Sequence, residues 1–163
     1  MSVPAQIAAA AAMYRQNDAL LPKSFAGMTA EEWNRRPNET TNCLLWVVGH
    51  MVWSRERTLH YLGVERNTPL LEGFGRGKGS TDHSHIPSPE EVVAAWHEVA
   101  GVFTAALESA TPEMLSAPRP EKGPPSIDGM VGGIVSFMAY HETYQFGQAA
   151  YISRWLGHAQ LMG

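Results

Sequence analysis

Ser88-Pro89-Glu90-Glu91, running on through VVAAWHEVAGVFTAAL to Leu107, is the stretch on which a reading of the fold turns. A serine that can cap a helix, a proline at the first helical position and a glutamate at the third together mark a helix start. Behind it, Val92, Trp96, Val99, Phe103 and Ala106 or Leu107 recur at the spacing of one buried helical stripe. Their seven-residue rhythm suits packing against near-parallel helices.

The same grammar extends in both directions. A first helix is expected from about Pro4 to Phe25, carrying Ile7, Ala10, Tyr14, Leu21 and Phe25 on one side, with Pro22 kinking or ending it. Thr29 and Glu32 form a capping box for a short turn that ends before Pro37. A second long helix is expected to begin at Thr41 or Asn42 and to stop near Leu62, where Gly63 supplies a left-handed terminus. Residues Gly63 to Pro87, with glycines at 73, 75, 77 and 79 and no hydrophobic period, read as a long loop over one end. Thr111-Pro112-Glu113 caps another short turn, and Pro118 to Pro125 is a second connector. The last long helix runs from about Asp128 to Leu156 and stops at Gly157. Four long helices without an alternating strand pattern or a repeat imply an all-α four-helix bundle with long connecting loops.

At 163 residues and 44% hydrophobic composition, the chain suits one domain spanning residues 1–163. Twelve Lys and Arg against 16 Asp and Glu give a net charge of -4 with no basic block, which argues against nucleic acid as a partner. The single cysteine, Cys43, excludes an internal disulfide and a cysteine-cluster metal site, and a reducing cytoplasm is the expected compartment. The apolar run Cys43 to Trp53 is too short for a membrane span, and the Ala-rich stretch Ile7 to Met13 lacks the basic flank of a secretory signal.

Two of the long apolar helices turn polar at one level. His50 lies in a stripe with Trp46, Val47, Trp53 and Ser54, and His141 shares a side with Phe137, Tyr144, Gln145 and Gln148. A lone histidine on an apolar face is ordinarily a hydrogen-bonded core residue; two such interruptions weaken that reading. His141 and Gln145 stand one turn apart and can reach one point. With His50 from a facing helix they would supply three neutral ligands to a divalent cation, leaving positions open for water or substrate. His141-Glu142-Thr143-Tyr144-Gln145 misses the H-E-x-x-H pattern by its second histidine. Glu142 points about 100° away from the His141 face, toward solvent or a neighbouring helix.

Other candidates are weaker. His83 and His85 read as solvated loop residues, and His60, His97 and His158 have no partner pattern. The run Gly73 to Gly79 lacks the strand and the Lys-Ser/Thr ending of a phosphate-binding loop, and reads as a flexible linker or lid. Arg57 reads as a snorkelling surface arginine able to meet an anionic substrate. Ser54, Tyr144 and Cys43 lack the base and orienting group of a nucleophile.

The segments Asn42 to His50 and His141 to Gln148, followed by Arg154-Trp155-Leu156-Gly157, resemble the DinB-like superfamily, which includes bacillithiol and mycothiol S-transferases. The order of elements matches over nearly the whole chain. The resemblance implies an up-down-down-up bundle, often a homodimer, with zinc or nickel held by three histidines, and a low-molecular-weight thiol or other small molecule as substrate. His50 and His141 fall on two of those positions; Gln145 stands at the third, where an amide is a weaker donor than imidazole. Two readings follow: a metal-dependent thiol transferase or related hydrolase or isomerase, and a metal-free bundle that binds a small ligand or acts through a dimer surface.

Overall fold

The computed structural model describes residues 3–75, 77 and 87–161. Helices α1 (Ala8–Ser24), α2 (Ala30–Asn34), α3 (Leu44–Tyr61), α4 (Pro89–Ser109), α5 (Pro112–Leu115) and α6 (Val131–Trp155) follow in order, with 3-10 turns at Ala5–Ile7 and Pro69–Phe74. Among the described residues there is no strand, only one isolated bridge between Pro118 and Met130. No helix among them is long and apolar enough to cross a membrane.

The four long helices share one buried cluster. Helix α6 packs against α1 and α3, and α4 packs against α3 and α1. Helix α4 starts where its capping box places it: the Ser88 hydroxyl accepts from the Glu91 N–H and the Glu91 carboxylate accepts from the Ser88 N–H. Val92, Trp96, Val99, Phe103, Ala106 and Leu107 are all buried, as the stripe requires. The Thr29/Glu32 box caps α2 likewise, and the Thr111 hydroxyl caps α5 through the Met114 N–H.

Three expectations are corrected. Pro22 does not end α1 at once; the helix runs two residues further, to Ser24, whose hydroxyl donates to the Leu21 carbonyl. Helix α3 begins at Leu44 with Cys43 at the cap, because Thr41 is spent in a turn with Asn38, accepting from its N–H and donating to its side chain. The segment from Gly63 to Pro87 is not wholly a loop: Pro69–Phe74 forms a turn that packs on α3, with Leu71 and Phe74 buried. Gly49 permits that contact, since a Cβ there would lie 2.5 Å from the Phe74 ring. Gly63 and Gly157 do close α3 and α6 in left-handed conformation, at φ of 75° and 95°. His83 and His85 lie outside the described residues.

Candidate functional site

His50 sits midway along α3, where the absence of a side chain at Gly49 lets Phe74 approach. Its ring stacks on Trp46 and Trp53, at centroid separations of 4.7 and 5.6 Å. Its Nδ1 lies 2.7 Å from the Phe74 carbonyl oxygen. A carbonyl only accepts, so Nδ1 carries the proton and Nε2 keeps its lone pair.

His141 reaches the same place from α6, its ring edge-on to His50 with centroids 5.2 Å apart. Gln145 follows one turn later, its amide nitrogen 3.4 Å from His141 Nε2, while Gln148 donates to the Gln145 carbonyl oxygen at 3.1 Å. His141 Nδ1 is buried without a hydrogen-bond partner. Burial, and then the nearby His50, push the His141 pKa down to about 4; burial also lowers that of His50, against the opposing effect of the Phe74 carbonyl. Both rings are therefore neutral near pH 7, the form in which imidazole ligates.

The two histidines line a cavity of about 700 Å³ with Trp53, Ser54, Phe137 and Met138. The Ser54 hydroxyl is buried and unpartnered. Gln145 is buried beside His141 but does not line the cavity. Arg57 is exposed at the cavity wall, its guanidinium 5.5 Å from the Trp53 ring centre. Among the described residues, no three His, Cys, Asp or Glu side chains group as metal ligands.

Behind the histidines lies a charged cluster that sequence reasoning missed. Arg55 is 1% exposed and grips Glu142 with Nε–Oε2 and Nη2–Oε1 contacts of 2.6 and 2.8 Å. Its third nitrogen reaches Asp18 at 2.7 Å, and Asn17 donates to Glu142 at 3.0 Å. The guanidinium lies 4.1 Å from the Trp96 ring centre, with Tyr14 and Phe103 also beneath it. All four long helices thus meet at one ion pair. Burial by itself would lower the Arg55 pKa, but the charges and hydrogen bonds of Glu142 and Asp18 together outweigh it and raise it. Because Glu142 follows His141 directly, this clamp fixes the rotation of α6 that turns His141 toward His50.

Of the remaining candidates, Cys43, Tyr144 and His158 lie outside the cavity lining, whereas His60 and its partner Glu65 belong to it. Cys43 is buried, which raises its thiol pKa, and Tyr144 is 60% exposed and does not line the cavity. His60 and His158, which showed no partner pattern in the sequence, pair with Glu65 at 2.6 Å and Glu32 at 3.1 Å.

No curated protein matches the chain. The DinB superfamily model matches residues 13–149, a span that contains both histidines, the buried ion pair and the cavity wall; the chain belongs to the DinB superfamily.

Proposed function

We propose that this chain holds a divalent cation, zinc or nickel, with His50, His141 and Gln145, and acts there on a small molecule, most simply as a thiol S-transferase or a related hydrolase or isomerase. The carrying observation is a pair of neutral imidazoles from facing helices at one cavity, one with its tautomer set by the Phe74 carbonyl and the other with an unpartnered Nδ1. The donor chemistry fits a borderline cation, although an amide oxygen at Gln145 binds less tightly than a third imidazole. When bound, such a cation lowers the pKa of a thiol or water in its open position.

The chain's own residues supply the setting. The Phe74 carbonyl orients His50, and the Arg55–Glu142 pair orients α6. Trp53, Phe137 and Met138 give the cavity an apolar wall beside the histidines, and the unpartnered Ser54 hydroxyl offers the bound molecule a hydrogen bond. The helix pairing supports an up-down-down-up bundle as the framework.

One observation favours a second reading, a metal-free pocket for a small ligand: Gln145 presents its amide nitrogen to His141 and engages its oxygen with Gln148, a hydrogen-bonded chain that needs no cation. Metal analysis of protein purified without a histidine tag separates the two. Near-stoichiometric metal that is lost in His50→Ala and in His141→Ala supports the first reading. A folded protein that neither retains nor takes up zinc or nickel sinks it in favour of the second.

A further inference from the structure

Trp46, His50, Trp53 and Arg57 follow one another on a single stripe of α3. The His50 ring stacks on both indoles, and the Arg57 guanidinium carbon lies 5.5 Å from the centre of the Trp53 ring. His50, Trp53 and Arg57 all line the cavity. One wall therefore carries an imidazole donor, an indole and a cation in sequence, with about 10.5 Å of helix axis between its two ends.

The charges along that wall are unequal. Arg66 pairs with Glu56 at 2.9 Å and with Glu98 at 2.7 Å, and His60 pairs with Glu65 at 2.6 Å. Those lining groups satisfy each other. Arg57 has no carboxylate and no hydrogen-bond partner among the described residues, and its one contact of note is with the Trp53 indole. The donors of its guanidinium are left for whatever enters the cavity.

We propose that Arg57 anchors a carboxylate, so that the molecule bound here is a small monoanion with an apolar middle, its carboxylate at Arg57 and its other end at His50 and His141. The proposal rests on the reading of this cavity as a small-molecule site, and not on the presence of a cation in it.

The rest of the lining fits such a molecule. Trp53, Phe137 and Met138 supply the apolar wall for its middle. Gly123, Pro124 and Pro125 line the cavity at the level where α3 ends, since a Cβ on Gly123 would lie 2.7 Å from the Tyr61 hydroxyl. Arg119 holds this connector by donating to the Gly123 and Pro124 carbonyls at 3.4 and 3.0 Å. The two prolines bring no N–H of their own, so an anion at this end finds its free positive charge at Arg57. A single guanidinium balances a carboxylate, whereas a dianionic phosphate would keep an unmatched charge. Arg57 is also exposed, so the ion pair stays in contact with water and avoids the desolvation cost of a buried one.

Matched probes test the anchor: 4-phenylbutyrate and its neutral amide, 4-phenylbutyramide, titrated by calorimetry or NMR into the full chain without added metal. Wild type should bind the acid about three- to tenfold more tightly than the amide. In Arg57→Gln that ratio should fall to about one. Phe137→Ala should weaken both probes alike, because it removes the apolar wall and not the charge. Equal affinity for acid and amide in wild type, or no binding of either up to their solubility, overturns the proposal. So does a preference for the acid that survives Arg57→Gln, or acid binding indifferent to Phe137→Ala. A chain that takes up no zinc or nickel yet shows the Arg57-dependent preference loses the metal reading and keeps the anchor. Bound metal without that preference does the reverse.

Discussion

His50 donates its Nδ1 proton to the backbone carbonyl of Phe74 at 2.7 Å, a bond that joins α3 to a turn 24 residues further along the chain. It depends on the residue before His50. At Gly49 an added Cβ would lie 2.5 Å from the Phe74 ring, so the ring would have to move and carry its carbonyl with it. Gly49→Ala should therefore cost about 1–3 kcal/mol of stability through overpacking. It should also weaken zinc binding by about 10–100-fold, through loss of the partner that orients the ligand. Urea unfolding and zinc titration read the two effects separately; a variant with wild-type stability and wild-type zinc affinity would contradict the role given to Phe74.

Arg55 and Glu142 make a different kind of prediction, because each is buried against the other. Removing one partner leaves an uncompensated charge among Trp96, Tyr14 and Phe103. Arg55→Ala or Glu142→Ala should each lose about 3–5 kcal/mol, whereas Arg55→Met/Glu142→Leu should recover most of that loss. If the double variant is no more stable than the worse single one, the cost lies in packing and not in the orphaned charge.

Acid should unfold the metal-free protein earlier than its carboxylates alone would require. Free imidazoles titrate near pH 6.5, while burial and the adjacent His50 hold folded His141 down to about 4, and burial lowers His50 as well. Between those values the unfolded chain binds more protons than the folded one. The stability contributed by the two neutral rings is thus complete above pH 6.5 and is lost as pH falls toward 4. The midpoint of thermal unfolding should drop over that window, and should drop less in His141→Gln. A His141→Gln variant with the same pH slope as wild type would remove His141 as the cause.

Much of this was legible beforehand where a residue's environment follows from its own helix. Ser88 and Glu91 announced α4, and His50 and His141 stood out because each interrupts an apolar stripe. Arg55 was not legible. It sits in Ser54-Arg55-Glu56-Arg57, where nothing local distinguishes the buried Arg55 from the exposed Arg57. What buries it is the convergence of Asn17, Asp18, Trp96 and Glu142 from three other helices. Phe74 was hidden for a related reason: a lone aromatic among glycines has no period, and its contact on α3 is the absence of a side chain at Gly49.

Ser54 and Ser153 give the last prediction, and each serves as the control for the other. Both hydroxyls are buried with no hydrogen-bond partner, a condition that costs about 1–3 kcal/mol apiece. Replacing either with alanine should raise the stability of the metal-free protein by about 1 kcal/mol, or about 2–4 °C in Tm for a chain of this size. Only Ser54 lines the cavity with His50 and His141. If its hydroxyl is kept for a bound molecule, Ser54→Ala should gain stability and weaken the binding of a small thiol such as cysteine to the zinc-loaded protein. Ser153→Ala should gain stability alone. Equal thiol affinity in the two variants, measured by calorimetric titration, would leave the Ser54 hydroxyl with no part in ligand binding.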